Sequence, residues 1–248
     1  MISRQELLAY CDSLLKPEEF DDYCHNGLQV EGTESIQKIA SAVSCTQESI
    51  EKAIKLGAQC LFCHHGLFWY KSPQTITGPM RKKLKQALRA DLNIIGYHLP
   101  LDYSEQFGNN FMAAKRLGLK NLEHFGMSNI GVRGTLDSID IDAFQKQCES
   151  LFGQKGHLAL FGKKTLQSCA IISGGAHRDF IHAIHLGVDA FITGSFDEPM
   201  WHMAKEYNCH FLAFGHDKTE QIGIQTLTQH LADKFKLETT FIDLGCPF

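Results

Sequence analysis

The chain has 248 residues, of which 44% are hydrophobic and 21% charged, a composition typical of a soluble globular protein with one large domain or two ordinary ones. Its formal net charge of −4 argues against a nucleic-acid surface built on bulk positive charge. No apolar stretch reaches membrane-spanning length and the N-terminus lacks the apolar core of a signal peptide, so we expect a cytoplasmic protein with no membrane partner.

Strands and helices are predicted to alternate along the chain. Ser3 is the expected N-cap of a first helix, with Glu6 as its capping-box partner. The first half predicts strands over 39–44, 60–63 and 93–97 and helices over 47–56 and 78–90. The second half predicts strands over 169–173, 190–193 and 210–214 and helices over 177–186 and 199–207. This alternation indicates an α/β fold with mostly parallel sheets.

The two halves of the chain resemble each other. The segment Ala-Ile-Lys-Leu-Gly-Ala at 53–58 matches Ala-Ile-His-Leu-Gly-Val at 183–188, and a short apolar strand follows each. We therefore predict two α/β repeats, over residues 1–125 and 126–248, with a boundary near Phe125.

Nine cysteines are scattered along the chain, often within apolar runs. An odd number without a signal peptide predicts free thiols in a reducing compartment. Cys60 and Cys63 form one CxxC motif, but on a strand they face opposite ways, and no second CxxC motif exists. We therefore interpret the cysteines as small core residues rather than zinc ligands.

Two adjacent histidines, His64 and His65, end the apolar run that begins at Cys60, and Gly66 follows them. A short, β-prone apolar run of this kind predicts a buried strand. Neighbouring residues on a strand point to opposite faces, so the two imidazoles suit two adjacent metal ions better than one.

Two further clusters follow predicted strands at equivalent places in the two repeats. His98 is followed four residues later by Asp102, and His216 is followed four residues later by Glu220. Because ligands collect at the carboxyl ends of parallel strands, we expect all three clusters to form a dinuclear metal site between the repeats. Imidazole and carboxylate ligands without thiolates suit zinc, manganese or iron, and Glu220 is a candidate bridging ligand.

Each motif alone has a simpler explanation. In the simpler explanation, Glu220 only caps the helix, in a capping box that starts at Asp217, and His216 is only a polar loop residue. For His98 the alternatives are a further metal ligand, a residue that supports a ligand, a general acid or base, and a residue that only orients Asp102. Gly174 and Gly175 form a tight turn, residues 26–30 turn into a strand, and the basic segment 81–85 is the solvated face of an amphipathic helix.

The expected chemistry is hydrolytic. Two metal ions about 3.5–4 Å apart bind a bridging water and lower its pKa toward neutral. Such a site suits hydrolysis of phosphate esters, amides or purine rings, and His98 is the candidate catalytic residue for proton transfer.

Several motifs occur together in an order that resembles one family. They are Asn-Gly-Leu-Gln-Val-Glu-Gly at 26–32, His-His-Gly-Leu-Phe-Trp at 64–69, His-Leu-Pro-Leu-Asp at 98–102, Gly-Asn-Asn at 108–110 and Gly-His-Asp-Lys-Thr-Glu at 215–220. They resemble the type 2 homologues of GTP cyclohydrolase I, also called the NIF-three-like family, over nearly the whole chain.

This resemblance implies two intertwined repeats, a homohexamer and two divalent metal ions per chain. By position, His64 and His216 would hold one ion, His65 and Asp102 the other, and Glu220 would bridge them. The family name implies a small-molecule substrate, GTP, whose purine ring is opened. The alternative function is a metal-binding scaffold or interaction protein without rapid turnover.

Overall fold

A computed structural model describes residues 1–73 and 75–248. The helices are α1 (Arg4–Leu15), α2 (Gln47–Lys55), α3 (Gly78–Arg89), α4 (Leu99–Tyr103), α5 (Asn109–Arg116), α6 (Ile141–Phe152), α7 (Phe180–His185), α8 (Glu198–Tyr207) and α9 (His216–Phe235). The strands are β1 (Ile2–Ser3), β2 (Gly27–Val30), β3 (Ser35–Ile36), β4 (Lys38–Ser44), β5 (Cys60–His65), β6 (Asn93–Gly96), β7 (Lys120–Phe125), β8 (Gly131–Asp140), β9 (His157–Leu160), β10 (Thr165–Ile171), β11 (Ala190–Thr193), β12 (His210–Ala213) and β13 (Glu238–Phe241).

The predicted alternation of strands and helices is confirmed in both halves of the chain. The helix α1 begins after Ser3, whose Oγ accepts a hydrogen bond from the Glu6 amide at 3.1 Å. One predicted helix, over 177–186, is divided into a short 3₁₀ segment, His177–Asp179, and the helix α7. The secondary structure therefore follows the hydrophobic periodicity and the capping residues of the sequence.

The chain forms two compact units. Unit 1 comprises Met1–Leu101 and Ile224–Gly245, and unit 2 comprises Asp102–Gly223 and Cys246–Phe248. The boundary that the sequence placed near Phe125 falls inside unit 2, because Phe125 in β7 pairs with Gly131 in β8. These two strands are joined by a short connection and therefore form an antiparallel hairpin rather than a linker.

Unit 1 contains a five-stranded sheet with the order β13-β4-β5-β6-β2. Its first four strands are parallel, and β2 pairs antiparallel with β6 at one edge. Its core includes Ile50 from α2, Leu84 from α3 and Leu61 from β5. The helices α2 and α3 are therefore the crossover connections between the parallel strands.

Unit 2 contains a six-stranded sheet with the order β7-β8-β10-β11-β12-β9. The three strands β10, β11 and β12 are parallel, and the flanking strands pair antiparallel. The central three strands and their two crossover helices match β4-α2-β5-α3-β6 of unit 1, which is the repeat seen in the sequence. Each unit is thus a mixed sheet with a parallel centre.

Apolar side chains cover both faces of the unit 2 sheet. On β11, Phe191 packs in a cluster with Phe180 and Phe211, whereas the next residue, Ile192, packs in a second cluster with Phe144. Alternating strand residues point to opposite faces, so both faces are occupied by core. Polar chemistry is consequently restricted to the ends of the strands.

The nine cysteines are free thiols and eight of them are buried, as the sequence predicted. Burial raises the pKa of the Cys24 thiol to about 11 and that of Cys209 to about 12, so both are protonated at neutral pH. Within the described residues, no helix combines the length and the apolar character needed to cross a membrane.

Candidate metal centre

Three histidines come together in unit 1. His64 and His65 end β5, His98 follows β6, and one ligand atom of each lies within 4.8 Å of the others. The expectation that His64 and His65 point apart is wrong, because their ring centroids are 4.8 Å apart. His65 is the last residue of the strand, where the alternation of a pleated strand ends, and its Nδ1 lies 3.1 Å from Oγ of Ser44.

An oxygen atom engages the Nδ1 atom of each of these histidines. Nδ1 of His64 lies 3.1 Å from the Tyr97 carbonyl oxygen, which only accepts hydrogen bonds, so Nδ1 carries the proton and Nε2 is the nitrogen that could bind a metal ion. Nδ1 of His65 contacts Ser44, and Nδ1 of His98 lies 2.9 Å from Oδ1 of Asp22. Metal-binding histidines have this support, since an oxygen on one nitrogen orients the ring and raises the basicity of the other.

Asp22 was not identified from the sequence, although it lies four residues before Asn26 in the family motif. Its buried carboxylate accepts hydrogen bonds from the amides of Cys24 and Leu99 and from the Asn26 side chain, and contacts His98. Burial raises the pKa of Asp22, but its hydrogen bonds and the charge of His98 outweigh burial and lower that pKa to about 2. Asp22 is therefore a fixed anion at neutral pH.

The segment that follows Asp22 supports the histidines through two amide side chains. Oδ1 of Asn26 accepts a hydrogen bond from the His98 amide at 2.8 Å, and Oε1 of Gln29 accepts one from the Leu67 amide at 2.6 Å. The predicted turn into a strand is confirmed, with Gly27 at φ +92°. A Cβ atom at Gly66 would overlap the Gln29 amide, so that glycine permits the close approach.

His216 and Glu220 lie one turn apart at the start of α9 in unit 2, and Nε2 of His216 is 3.2 Å from Oε2 of Glu220. The simpler alternative, a capping box that starts at Asp217, is wrong because α9 already begins at His216. Asp217 lies within the first turn and its Oδ2 accepts a hydrogen bond from Gln221 at 2.7 Å. Glu220 is only 3% exposed, which is unusual for a residue whose task is to cap a helix.

Asp102 is a second buried carboxylate in unit 2, in addition to Glu220. One of its oxygens lies within 4.8 Å of an oxygen of Glu220, and Nδ2 of Asn109 donates to its Oδ1 at 2.8 Å. Two buried carboxylates this close repel each other unless a proton or a cation compensates their charge. A divalent cation would compensate this charge, and carboxylate oxygens are among the donors that such a cation prefers.

The turn after β10 packs closely against Glu220 at Gly174. The Gly174 amide donates to Oγ1 of Thr219 at 2.9 Å, and its φ is +70°. A Cβ atom at this position would overlap Oε1 of Glu220 and lie 3.1 Å from Nε2 of His216. The predicted tight turn is confirmed, but the sequence did not reveal that it packs against two candidate ligands.

The side chains of Asn109 and Asn110 form hydrogen bonds that support the candidate site. Asn109 contacts Asp102 and accepts a hydrogen bond from the Gly223 amide in α9 at 2.7 Å. Oδ1 of Asn110 accepts a hydrogen bond from the Ser173 amide at 2.7 Å. Both asparagines are fully buried, and they fix the positions of Asp102 and of the residues after β10.

Comparison with known proteins identifies the family. The family model for Duf34/NIF3 (NGG1p interacting factor 3) matches residues 2–245. The "GTP cyclohydrolase 1 type 2 homolog" of Chlamydia pneumoniae is 42% identical over 98% of both chains. The solved structure of protein ybgI, of unknown function, has a TM-score of 0.94 at 35% identity, with both chains fully covered. A protein from Thermus thermophilus has a TM-score of 0.91 at 28% identity, also with full coverage of both chains. The chain belongs to the Duf34/NIF3 family.

Proposed function

We propose that this protein binds two divalent metal ions and hydrolyses a nucleotide. The proposed ligands are His64, His65, Asp102, His216 and Glu220. The observation that carries the proposal is the set of oxygen partners that engage the Nδ1 atoms of the unit 1 histidines. The name of the Chlamydia relative, a homologue of a GTP cyclohydrolase, supports GTP as the first substrate to test.

In such a reaction, different residues of the chain would have different roles. Bound divalent ions supply Lewis acidity and lower the pKa of a water molecule. His98, held by Asp22 through Nδ1, moves a proton at its Nε2 atom. Asn26 and Gln29 keep the backbone on either side of the histidines in place, so the imidazoles are oriented before substrate arrives.

The experiment compares metal content with turnover. Protein loaded in turn with zinc, manganese or iron is assayed on GTP and a panel of other nucleotides, and we expect turnover that a chelator abolishes and the metal restores. The matched controls are His64→Asn, which removes a proposed ligand, and His25→Asn, which changes an exposed histidine. Protein that holds its metals but is inactive on every nucleotide would instead be a metal-binding scaffold.

A further inference from the structure

A cavity of about 450 Å³ opens beside His65 in unit 1. It lies next to the end of β5 and the first turn of α3, and its walls include Ser44, Leu67, Trp69, Thr77, Met80 and Lys83. This volume lies within the range of small-molecule sites, roughly 300–1,000 Å³. Its position places a bound molecule against one of the proposed metal ligands.

The charge of the cavity favours an anion. Among the described residues that line the cavity, Lys83 is the one lysine or arginine, and none is a carboxylate. The Lys83 ammonium donates to the Cys45 carbonyl at 3.3 Å and is partly buried, whereas Arg81 and Lys82 are exposed. The basic segment of α3 is therefore a solvated face except at Lys83.

The start of α3 adds to this preference for negative charge. The helix has 12 residues and no acidic residue in its first turn, and its N-cap residue, Thr77, makes no side-chain capping hydrogen bond. Thr77, Pro79 and Met80 line the cavity, so the positive end of the helix dipole faces it.

The cavity also has an aromatic wall, which is formed by Trp69. Nε1 of Trp69 donates to the Gly66 carbonyl at 3.0 Å, which fixes the indole ring. The ring centroid of Trp69 is 5.8 Å from that of His65 and 5.7 Å from that of Tyr23. A rigid indole of this kind offers a flat surface on which a heterocyclic base stacks.

We propose that this cavity binds a nucleoside phosphate, with the phosphates at Lys83 and the start of α3 and the base against Trp69. The inference rests on the proposed function for the reaction that follows, because it places the nucleotide beside His65. Binding itself requires only the cavity, so it is measurable without turnover.

The test uses the fluorescence of Trp69. The chain has two tryptophans, so Trp201→Phe leaves Trp69 as the single reporter. Titration with GTP should change its emission, and guanosine and inorganic pyrophosphate should each bind at least tenfold more weakly than GTP. Lys83→Met should weaken GTP binding by tenfold or more, because it removes a charged donor, whereas the matched control Lys82→Met should change binding less than twofold.

A second variant addresses the aromatic wall. Trp69→Leu, measured by equilibrium dialysis, should weaken GTP more than it weakens pyrophosphate. Equal GTP binding by Lys83→Met and Lys82→Met, or pyrophosphate binding as tight as GTP binding, would overturn the inference. GTP binding by a metal-loaded protein that turns over no nucleotide would instead contradict the proposed function and leave the inference standing.

Discussion

Nδ1 of His98 lies 2.9 Å from Oδ1 of Asp22, and both side chains are buried, at 6% and 2% exposure. A buried carboxylate on one imidazole nitrogen fixes the ring and its tautomer and raises the basicity of the other nitrogen. Asp22 is thus a positioning residue for His98, and the two residues lie 76 positions apart in the chain.

Asp22→Asn should destabilise the protein at neutral pH. Asparagine replaces an acceptor oxygen with an NH₂ group, so backbone donors and His98 lose their partner, at a cost of about 1.5–3 kcal/mol. Asp21→Asn, at the exposed neighbouring position, is the control and should change stability little. Urea unfolding of both variants at pH 7 gives the comparison.

The stability difference between wild type and Asp22→Asn should also depend on pH. The pKa of Asp22 is lowered from an ordinary 3.8 to about 2 in the folded protein. A depressed pKa stabilises the fold above the unfolded value, and that contribution is lost as pH falls through the folded value. The difference in unfolding free energy between the two proteins should therefore narrow as the pH falls from about 5 toward 2, and a difference that does not change over this range would contradict the assignment.

His98→Asn should keep the metal ions and lower turnover by roughly a hundredfold or more, the usual share of general acid–base catalysis. A group that only moves protons is removable without emptying the site. Metal analysis and single-turnover assays on the same preparation test this, with His25→Asn as control. Loss of metal in step with activity would make His98 a ligand, as its proximity to His64 and His65 allows.

The sequence predicted the order of the elements and the location of His64, His65 and His98 at strand ends, because both depend on local pattern. The run at β5 and the repeat around 53–58 and 183–188 are visible without a structure. Asp102 and Glu220 were predicted as ligands because each follows a histidine at a strand end by four residues.

Other features depend on contacts between residues far apart in sequence. Asp22 is one of two adjacent aspartates in a polar loop, and only the fold brings it to His98. The convergence of His64 and His65 was missed because strand alternation was applied to the last residue of a strand, where it no longer holds.

Glu220→Ala should remove most of both metal ions, because it deletes the proposed bridging carboxylate. The wild-type protein should bind up to two ions per chain. Asp233→Ala, at an exposed position on the same helix, is the control and should leave metal content unchanged. Elemental analysis after dialysis measures both, and full metal content in Glu220→Ala would exclude the bridging role.

The protein should form a homohexamer in solution. This expectation comes from the family resemblance, since composition does not distinguish a hexamer from a monomer. Light scattering at micromolar concentration should give six times the monomer mass, and a monomeric mass would refute it.

Gly174→Ala should damage the metal site, whereas Gly187→Ala should not. Both glycines have φ +70°, so either substitution imposes left-handed strain of about 1–2 kcal/mol on the backbone. At Gly187 an added Cβ meets nothing within 4 Å, but at Gly174 it would overlap Oε1 of Glu220. We therefore expect a similar backbone penalty in both variants and an additional loss of metal binding in Gly174→Ala alone. Unfolding curves and metal titrations of the pair separate the two effects, and equal metal affinity in both variants would show that the close approach to Glu220 does not matter.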